Sequence, residues 1–452
     1  MGSMLKRGCA TGFCLLRRIS VLRCTRNCGD RKLGARMMST GVNFTPSSKI
    51  VSPWLMLPPL IEDGGDTVYK FYNLSEDKEE SFRKKRNNSE EEMAEDDAEL
   101  VGSSHGWLAL FNRRNNNHIF LYNPITRRHI KLPPIETLPD PKINLTPNGR
   151  GSISKLILSS SPDDDDEECI AMMIFSRERR LAFCHPCRST EWTPVGELYY
   201  HLPGEGSFPR SYEDIVYSST QKLLFCQTLM TLTLDLECWD LSNSLSPRIH
   251  SSWELCWSQF HSDELVGKYL VKTQVNLVYS EEYNQLFIVM RYVMERMSPD
   301  GSFAYPLYFG KSRGWDNRYP YRTIGFDAYK FDVGVKIPQK EEDLYDGLPM
   351  FIGINQVQHV EEGSLDGLSM FVGINHSIAM SPTPQLKLNS NCIYYTDPNN
   401  LHIRPSAFYG GHDIGIYDYT NRTFSPCYDI PLDVESIKRI MPAPMWFTPC
   451  HH

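Results

Sequence analysis

One local pattern recurs along most of this chain and narrows the folds open to it: a short apolar strand, a polar turn, a second strand, then an aromatic residue followed by Asn or Asp. The closing pair stands at Tyr122-Asn123, Trp239-Asp240, Phe331-Asp332 and Tyr417-Asp418. Strand-type alternation is cleanest in Thr231-Leu232-Thr233-Leu234-Asp235-Leu236, where every second residue is leucine. Residues 112–117 and 159–168 read as hairpin connections. The second joins Lys155-Leu156-Ile157-Leu158 to Ile170-Ala171-Met172-Met173-Ile174-Phe175. No segment carries the long, capped, 3.6-residue period of a core helix, which disfavours parallel α/β folds.

Many short antiparallel strands can form either stacked sandwiches or blades arranged radially. A propeller buries both faces of each small sheet against its neighbours and leaves only short edges. The pattern therefore predicts an all-β, β-propeller-like domain of about six blades over residues 102–449, with two separate β domains as the competing arrangement. The content of 23 Tyr, 21 Phe and 30 Pro leans the same way, towards strands and turns. No apolar run approaches the roughly 18 residues needed to span a bilayer as a helix.

Charge is divided unevenly along the chain. Residues 1–39 hold nine basic side chains against one acid, Asp30, so the remaining body, with 38 basic and 54 acidic residues, carries −16. The leader also contains Phe13-Cys14-Leu15-Leu16-Arg17-Arg18-Ile19-Ser20-Val21-Leu22-Arg23, with Leu15, Ile19 and Leu22 on one helical face. A cationic amphipathic segment poor in acids is the make-up of an organellar transit peptide. Residues 1–38 are thus expected to be a disordered transit peptide, addressed to the mitochondrion, with the plastid as alternative. Residues 39–101 then read as a Pro-rich start around Pro53, Pro58 and Pro59 followed by a mixed-charge linker from Glu76 to Glu99. The acidic body argues against broad contact with a nucleic-acid backbone. Nine cysteines scattered through that body do not form a disulfide framework.

One true internal repeat is present. Asp346-Gly347-Leu348-Pro349-Met350-Phe351-Ile352-Gly353-Ile354-Asn355 returns twenty residues later as Asp366-Gly367-Leu368-Ser369-Met370-Phe371-Val372-Gly373-Ile374-Asn375. Half a blade in length, it reads as a local tandem duplication, with one copy in a sheet and the other looped out or paired at an edge.

Several segments together resemble a known family. Ser103-Ser104-His105-Gly106-Trp107-Leu108-Ala109-Leu110, Tyr122-Asn123-Pro124-Ile125-Thr126 and Leu132-Pro133-Pro134 are similar to the opening of the plant domain of unknown function 295, an F-box-associated, kelch-like family. Trp192-Thr193-Pro194, residues 212–217, residues 321–327 and Gly410-Gly411-His412-Asp413-Ile414-Gly415 match its later landmarks. The resemblance implies a propeller over roughly residues 50–449 and supplies no catalytic residues. No Leu-rich three-helix F-box module precedes it here, and the leader stands in its place, as in an organellar branch of such a family.

Three motifs could carry chemistry. Cys184-His185-Pro186-Cys187 has the spacing of a redox or metal pair, with Cys184 and Cys187 as the candidate ligands. A redox pair needs a helix starting at its first cysteine to lower the thiol pKa. A structural zinc needs two further ligands. The following Arg188-Ser189-Thr190-Glu191 reads instead as a turn. The run Asp163-Asp164-Asp165-Asp166-Glu167-Glu168 lacks the spaced ligands and glycine of a calcium loop and reads as a solvated hairpin tip. Residues 410–415 lack the flanking strand and helix of a dinucleotide fingerprint, so their glycines are expected to serve close packing. His105-Gly106-Trp107 is expected to start a core strand.

The sequence thus points to a non-catalytic interaction module with a protein partner, no cofactor and no catalytic site. Two alternatives stand beside it: a small-ligand binder or enzyme using the central channel, and an F-box-type ubiquitin-ligase substrate adaptor.

Overall fold

The strands predicted from alternation assemble into blades. In the computed structural model the described residues are 51–62, 66–85, 98–112, 118–138, 153–162, 168–176, 178–197, 199–202, 206–229, 233–243, 246–256, 271–295, 321–333, 344–345, 348–352, 357–360, 364–397, 413–428 and 444–449. Blade two comprises Glu99–Ser104, Trp107–Asn112, His118–Tyr122 and His129–Lys131. Blade three follows with Ile153–Leu158, Ala171–Phe175, Arg180–Cys184 and Thr193–Val195. Blade four has Tyr212–Ser218, Leu223–Leu229, Thr233–Asp240 and Arg248–Cys256. Blade five has Val271–Ser280, Gln285–Glu295, Tyr321–Phe331 and Val357–His359.

Blade six contains Ser369–Val372, Cys392–Tyr395, Gly415–Asp418 and Thr423–Ser425, with Ile378–Met380 joining it to blade five. Blade one is built from both ends of the domain. Its strands Trp54–Ile61, Thr67–Asn73 and Lys78–Lys84 are completed by Met445–Phe447, which pairs antiparallel with Trp54–Met56. The only helical element among the described residues is a single 3₁₀ turn, Ile135–Thr137.

The period-2 alternation explains why the blades must stand side by side. In Ala171–Phe175, Ala171, Met173 and Phe175 enter the core shared with blade two, while Met172 and Ile174 enter the one shared with blade four. In Gln285–Glu295, Leu286, Ile288, Met290 and Tyr292 face blade four, and Phe287 and Val289 face blade six. In the first strand, Trp54 and Met56 face blade two, and Leu55 and Leu57 face blade six. Among the described residues six such cores, one between each pair of neighbours, close the ring. A sheet buried on both faces cannot exist alone, since each large apolar side chain returned to water would cost about 1.5–3 kcal/mol.

Residues 54–84 are therefore part of the propeller, where the sequence suggested a Pro-rich start and a linker outside a domain beginning at residue 102. The reason is positional. Val68, Tyr69 and Phe71 of the neighbouring strand are buried. Lys78–Lys84 forms an outer edge whose charges remain in water, a placement that also guards a sheet edge against stray pairing. The expected transit peptide at residues 1–38 and linker residues 86–97 lie outside the described residues, as do the hairpin tips 113–117 and 163–167.

The first strands of the blades approach closely around the axis. Gly102 lies so near blade three that a Cβ there would stand 2.0 Å from the Leu156 carbonyl oxygen. We expect Gly102→Ala to lower the urea midpoint by an amount equivalent to about 1–3 kcal/mol, the usual cost of forcing extra volume into a packed core. An unchanged midpoint would mean that the first strands can separate freely.

Candidate functional site

The recurring aromatic-Asn/Asp pair occupies one structural position. Tyr122-Asn123, Trp239-Asp240, Phe331-Asp332 and Tyr417-Asp418 each end the third strand of a blade. The aromatic enters the core, and the polar residue begins the connection to the fourth strand. Asn123 Oδ1 accepts from the amides of Ile125 and Thr126, both at 3.0 Å. Asp240 accepts from the Ser242 amide and Asp418 from the Asn421 amide, both at 2.9 Å. These backbone bonds hold both carboxyls below the usual range. Tyr72-Asn73 in blade one follows the same rule, with Asn73 accepting from Ser75 at 3.0 Å.

Cys184-His185-Pro186-Cys187 is blade three's version of this turn. His185 occupies the Asn/Asp position, and its carbonyl accepts from the Arg188 and Ser189 amides at 3.1 and 2.9 Å. Cys184 is 1% exposed within the core and burial pushes its thiol up, whereas Cys187 is exposed. The two candidate ligands therefore sit in different surroundings, one in the core and one exposed. Among the described residues no three His, Cys, Asp or Glu side chains converge to hold a metal ion.

The remaining motifs are also placed by their turns. His105 and Gly106, with φ of 49° and 81°, form the two-residue connection between Glu99–Ser104 and Trp107–Asn112. Trp107 is 1% exposed and its indole donates to Ser161 at 3.2 Å, as a strand-starting core residue should. Of the acidic run, Glu168 is described and forms an exposed pair with Lys222 at 3.7 Å. Of residues 410–415, Gly415 packs closely: a Cβ there would meet the Tyr395 hydroxyl at 2.8 Å. Asp413 ends in a buried ion pair with Arg291 at 2.9 Å.

Polar groups that local sequence reading did not single out meet on the axis. Lys155 of blade three pairs with Asp214 of blade four at 2.6 Å, both nearly buried. The other oxygen of Asp214 accepts from the Leu277 amide of blade five at 2.8 Å, so one carboxylate ties three first strands together. From blade six, residues 373–377 reach across to blade two. The His376 amide donates to the Ser103 carbonyl at 2.9 Å, and its Nδ1 lies 3.4 Å from Ser104 Oγ. The His376 and His105 rings are 5.7 Å apart. Ser103 Oγ, Asn375 Oδ1 and Ser377 Oγ are buried here without a hydrogen-bond partner among the described residues. A basic residue inside an otherwise apolar strand, as at Lys155 or Arg291, was the available signal, since such groups are rarely buried unpaired.

Burial, with the His105 ring and the Lys155 ammonium nearby, holds the His376 imidazole well below its usual pKa. The native state then binds fewer protons than the unfolded chain. The associated stability is complete above the unfolded value near 6.5 and is lost as pH falls from there towards the depressed native value. Denaturation midpoints should be level between pH 7 and 8 and decline below about 6.5. His376→Gln should flatten that decline, and an equally steep profile in the variant would remove His376 as its source.

An open groove of about 410 Å³ lies where blades four and five meet, lined by Gln221, His250, Asn284, Gln285, Phe331, Asp332 and Val333. Several of its amides already bond within the protein: Gln221 donates to Asn284 at 3.1 Å, and Gln285 to the Phe331 carbonyl at 2.8 Å.

Solved structures similar to this chain include the β-propeller domain of Cps50 (Swd1) from Myceliophthora thermophila. It has 9% identity and a TM-score of 0.33, covering 84% of each chain. A Lactobacillus plantarum protein shows 8% identity and a TM-score of 0.35, covering 88% of this chain and 99% of its own. The WD40 domain of Toxoplasma gondii coronin shows 11% identity and a TM-score of 0.26, covering 63% and 70%. No curated protein matches the sequence. The KIB1-4 beta-propeller family matches residues 71–418, well over half of the chain, and the protein belongs to that family.

Proposed function

We propose that this protein is a non-catalytic interaction module of the mitochondrion, a rigid propeller whose rims and sheet edges bind a partner protein. The observation that carries the reading is the crossing of the axis by residues 373–377, with the His376 amide bonded to the Ser103 carbonyl of blade two. With chain from blade six bonded across the axis, recognition falls to the turns and edges, which a propeller holds rigidly in place. The arginine-rich leader supports mitochondrial delivery, with the plastid as alternative. Kinship with the F-box-associated, kelch-like proteins belongs to the same proposal. Adaptor work in a ubiquitin ligase would need a ligase-binding module besides the propeller.

One observation favours a second reading. The buried oxygens of Ser103, Asn375 and Ser377 suit a small polar guest on the axis.

Affinity purification of a C-terminally tagged chain from fractionated plant cells tests these readings together. A mature start near Ser39 and stoichiometric mitochondrial companions are expected. An intact N-terminus with ligase subunits in the cytosol would overturn both location and role. A cleaved protein with no companion would leave the axial ligand as the better reading.

A further inference from the structure

The duplicated decapeptide has two homes. The second copy supplies Ser369–Val372 in blade six, pairing parallel with Cys392–Tyr395. The first supplies Leu348–Ile352, pairing parallel with the outer strand of blade four through Ser252↔Met350, Trp253↔Phe351 and Glu254↔Ile352. Both ladders run through the same segment, Met-Phe-Ile in the first copy and Met-Phe-Val, preceded by Ser369, in the second. In both, the phenylalanine stands opposite an aromatic: Phe371 opposite Tyr394, and Phe351 opposite Trp253. Where the second copy packs, that pair is stacked with ring centroids 4.6 Å apart.

Blade four does not need this fifth strand. It already has four, whereas the chain that supplies the extra one leaves blade five at Phe331 and returns to it at Val357. In the other blades the third and fourth strands are joined by short turns, residues 123–128 in blade two and 419–422 in blade six. The edge it covers also differs from the other outer strands. His129–Lys131, Thr193–Val195, Val357–His359 and Thr423–Ser425 have three residues each, and Lys78–Lys84 is mostly charged. Arg248–Cys256 has nine, with Trp253 and Leu255 fully buried behind it. Long outer strands without such guards accept added strands readily, since their amides and carbonyls await partners.

We propose that the outer edge of blade four is a docking site for an extended segment of a partner protein carrying a Met-Phe-Ile/Val core, bound as a parallel strand and occupied in the free chain by Leu348–Ile352. The proposal rests on the interaction-module reading and names the surface it uses. The internal strand is an intramolecular competitor, so partner affinity is set by how readily the chain releases it.

The test uses the full chain and a fluorescein-labelled synthetic peptide with the sequence of residues 346–355, beside a scrambled control. In the unaltered chain, amides of residues 249–255 should exchange more slowly than those of the three-residue outer strands. Equal exchange would mean that no strand covers the edge and would overturn the proposal without any variant. Met350→Pro with Phe351→Pro removes two backbone donors from the internal strand. This variant should bind the peptide at least tenfold more tightly than the parent, and the peptide should restore slow exchange at 249–255. Equal binding by parent and variant, or equal binding of the scrambled peptide, overturns it. Companions captured in cells but unaffected by this variant would leave the interaction reading standing and remove the edge.

Discussion

Trp446→Ala should destabilise the protein by about 3–5 kcal/mol, the range for emptying a buried tryptophan site. Trp446 is 1% exposed and lies on the strand that closes the ring. Its indole meets Phe371 at 5.1 Å and Tyr394 at 6.0 Å, both edge-on, in the core between blades one and six. Its neighbours Met445 and Phe447 point the other way, into the core between blades one and two. A single three-residue strand therefore serves two interfaces, and its partner strand lies hundreds of residues away in sequence. Chemical denaturation measures the effect, with Tyr283→Ala as control. Tyr283 is 50% exposed and its loss should stay within about 0.5 kcal/mol. A Trp446→Ala midpoint matching that of the control would show that the ring does not depend on its closing strand.

The closure was hidden from sequence reading for a physical reason. Alternation tells which faces of a strand are buried, and Leu234 and Leu236 of the alternating run are indeed fully buried. It does not say which distant strand lies alongside. Met445–Phe447 has no pattern that points to Trp54, and the charges of Lys78–Lys84 disguised an edge strand as a linker. The aromatic-Asn/Asp pairs were legible because their cause is local: one side-chain oxygen accepts amides two or three residues ahead. The same local logic makes Cys184-His185-Pro186-Cys187 a turn despite its ligand spacing. Of the repeat, the half-blade length left one copy in a sheet and the other either looped out or paired at an edge, and the structure shows the edge pairing, on a strand that the sequence did not name.

The axial groups show the same divide. His105 reads in sequence as the start of a core strand and instead stands in the turn just before one, and its approach to His376 depends on a segment of blade six crossing the ring. Lys155 and Asp214 lie in different blades, and each looks in sequence like a misplaced charge within an apolar strand. Only the ring's curvature makes them partners.

Arg291→Met should also cost about 3–5 kcal/mol, because it leaves Asp413 buried without its cation. The Arg291 side chain is 2% exposed. Its Nε donates to Thr323 Oγ1 at 2.7 Å, and its two terminal nitrogens donate to the Thr396 carbonyl at 2.8 Å and the Asp413 carboxylate at 2.9 Å. The guanidinium also lies 4.9 Å above the centre of the Tyr395 ring. Burial raises the Asp413 pKa while Arg291 pulls it down, so removing the arginine lets the carboxyl take up a proton. A carboxyl whose native pKa is raised favours the folded state at low pH and opposes it as pH climbs through that value. The penalty of Arg291→Met should accordingly be smaller at pH 5 than at pH 8. Pairing it with Asp413→Leu should recover part of the loss at pH 8, because one of the two buried carboxylates facing the guanidinium is then gone and only Asp397, 3.9 Å from it, remains. A penalty that ignores pH and is not relieved by the second change would mean that the guanidinium acts by filling space beside Tyr395, with the ion pair contributing little.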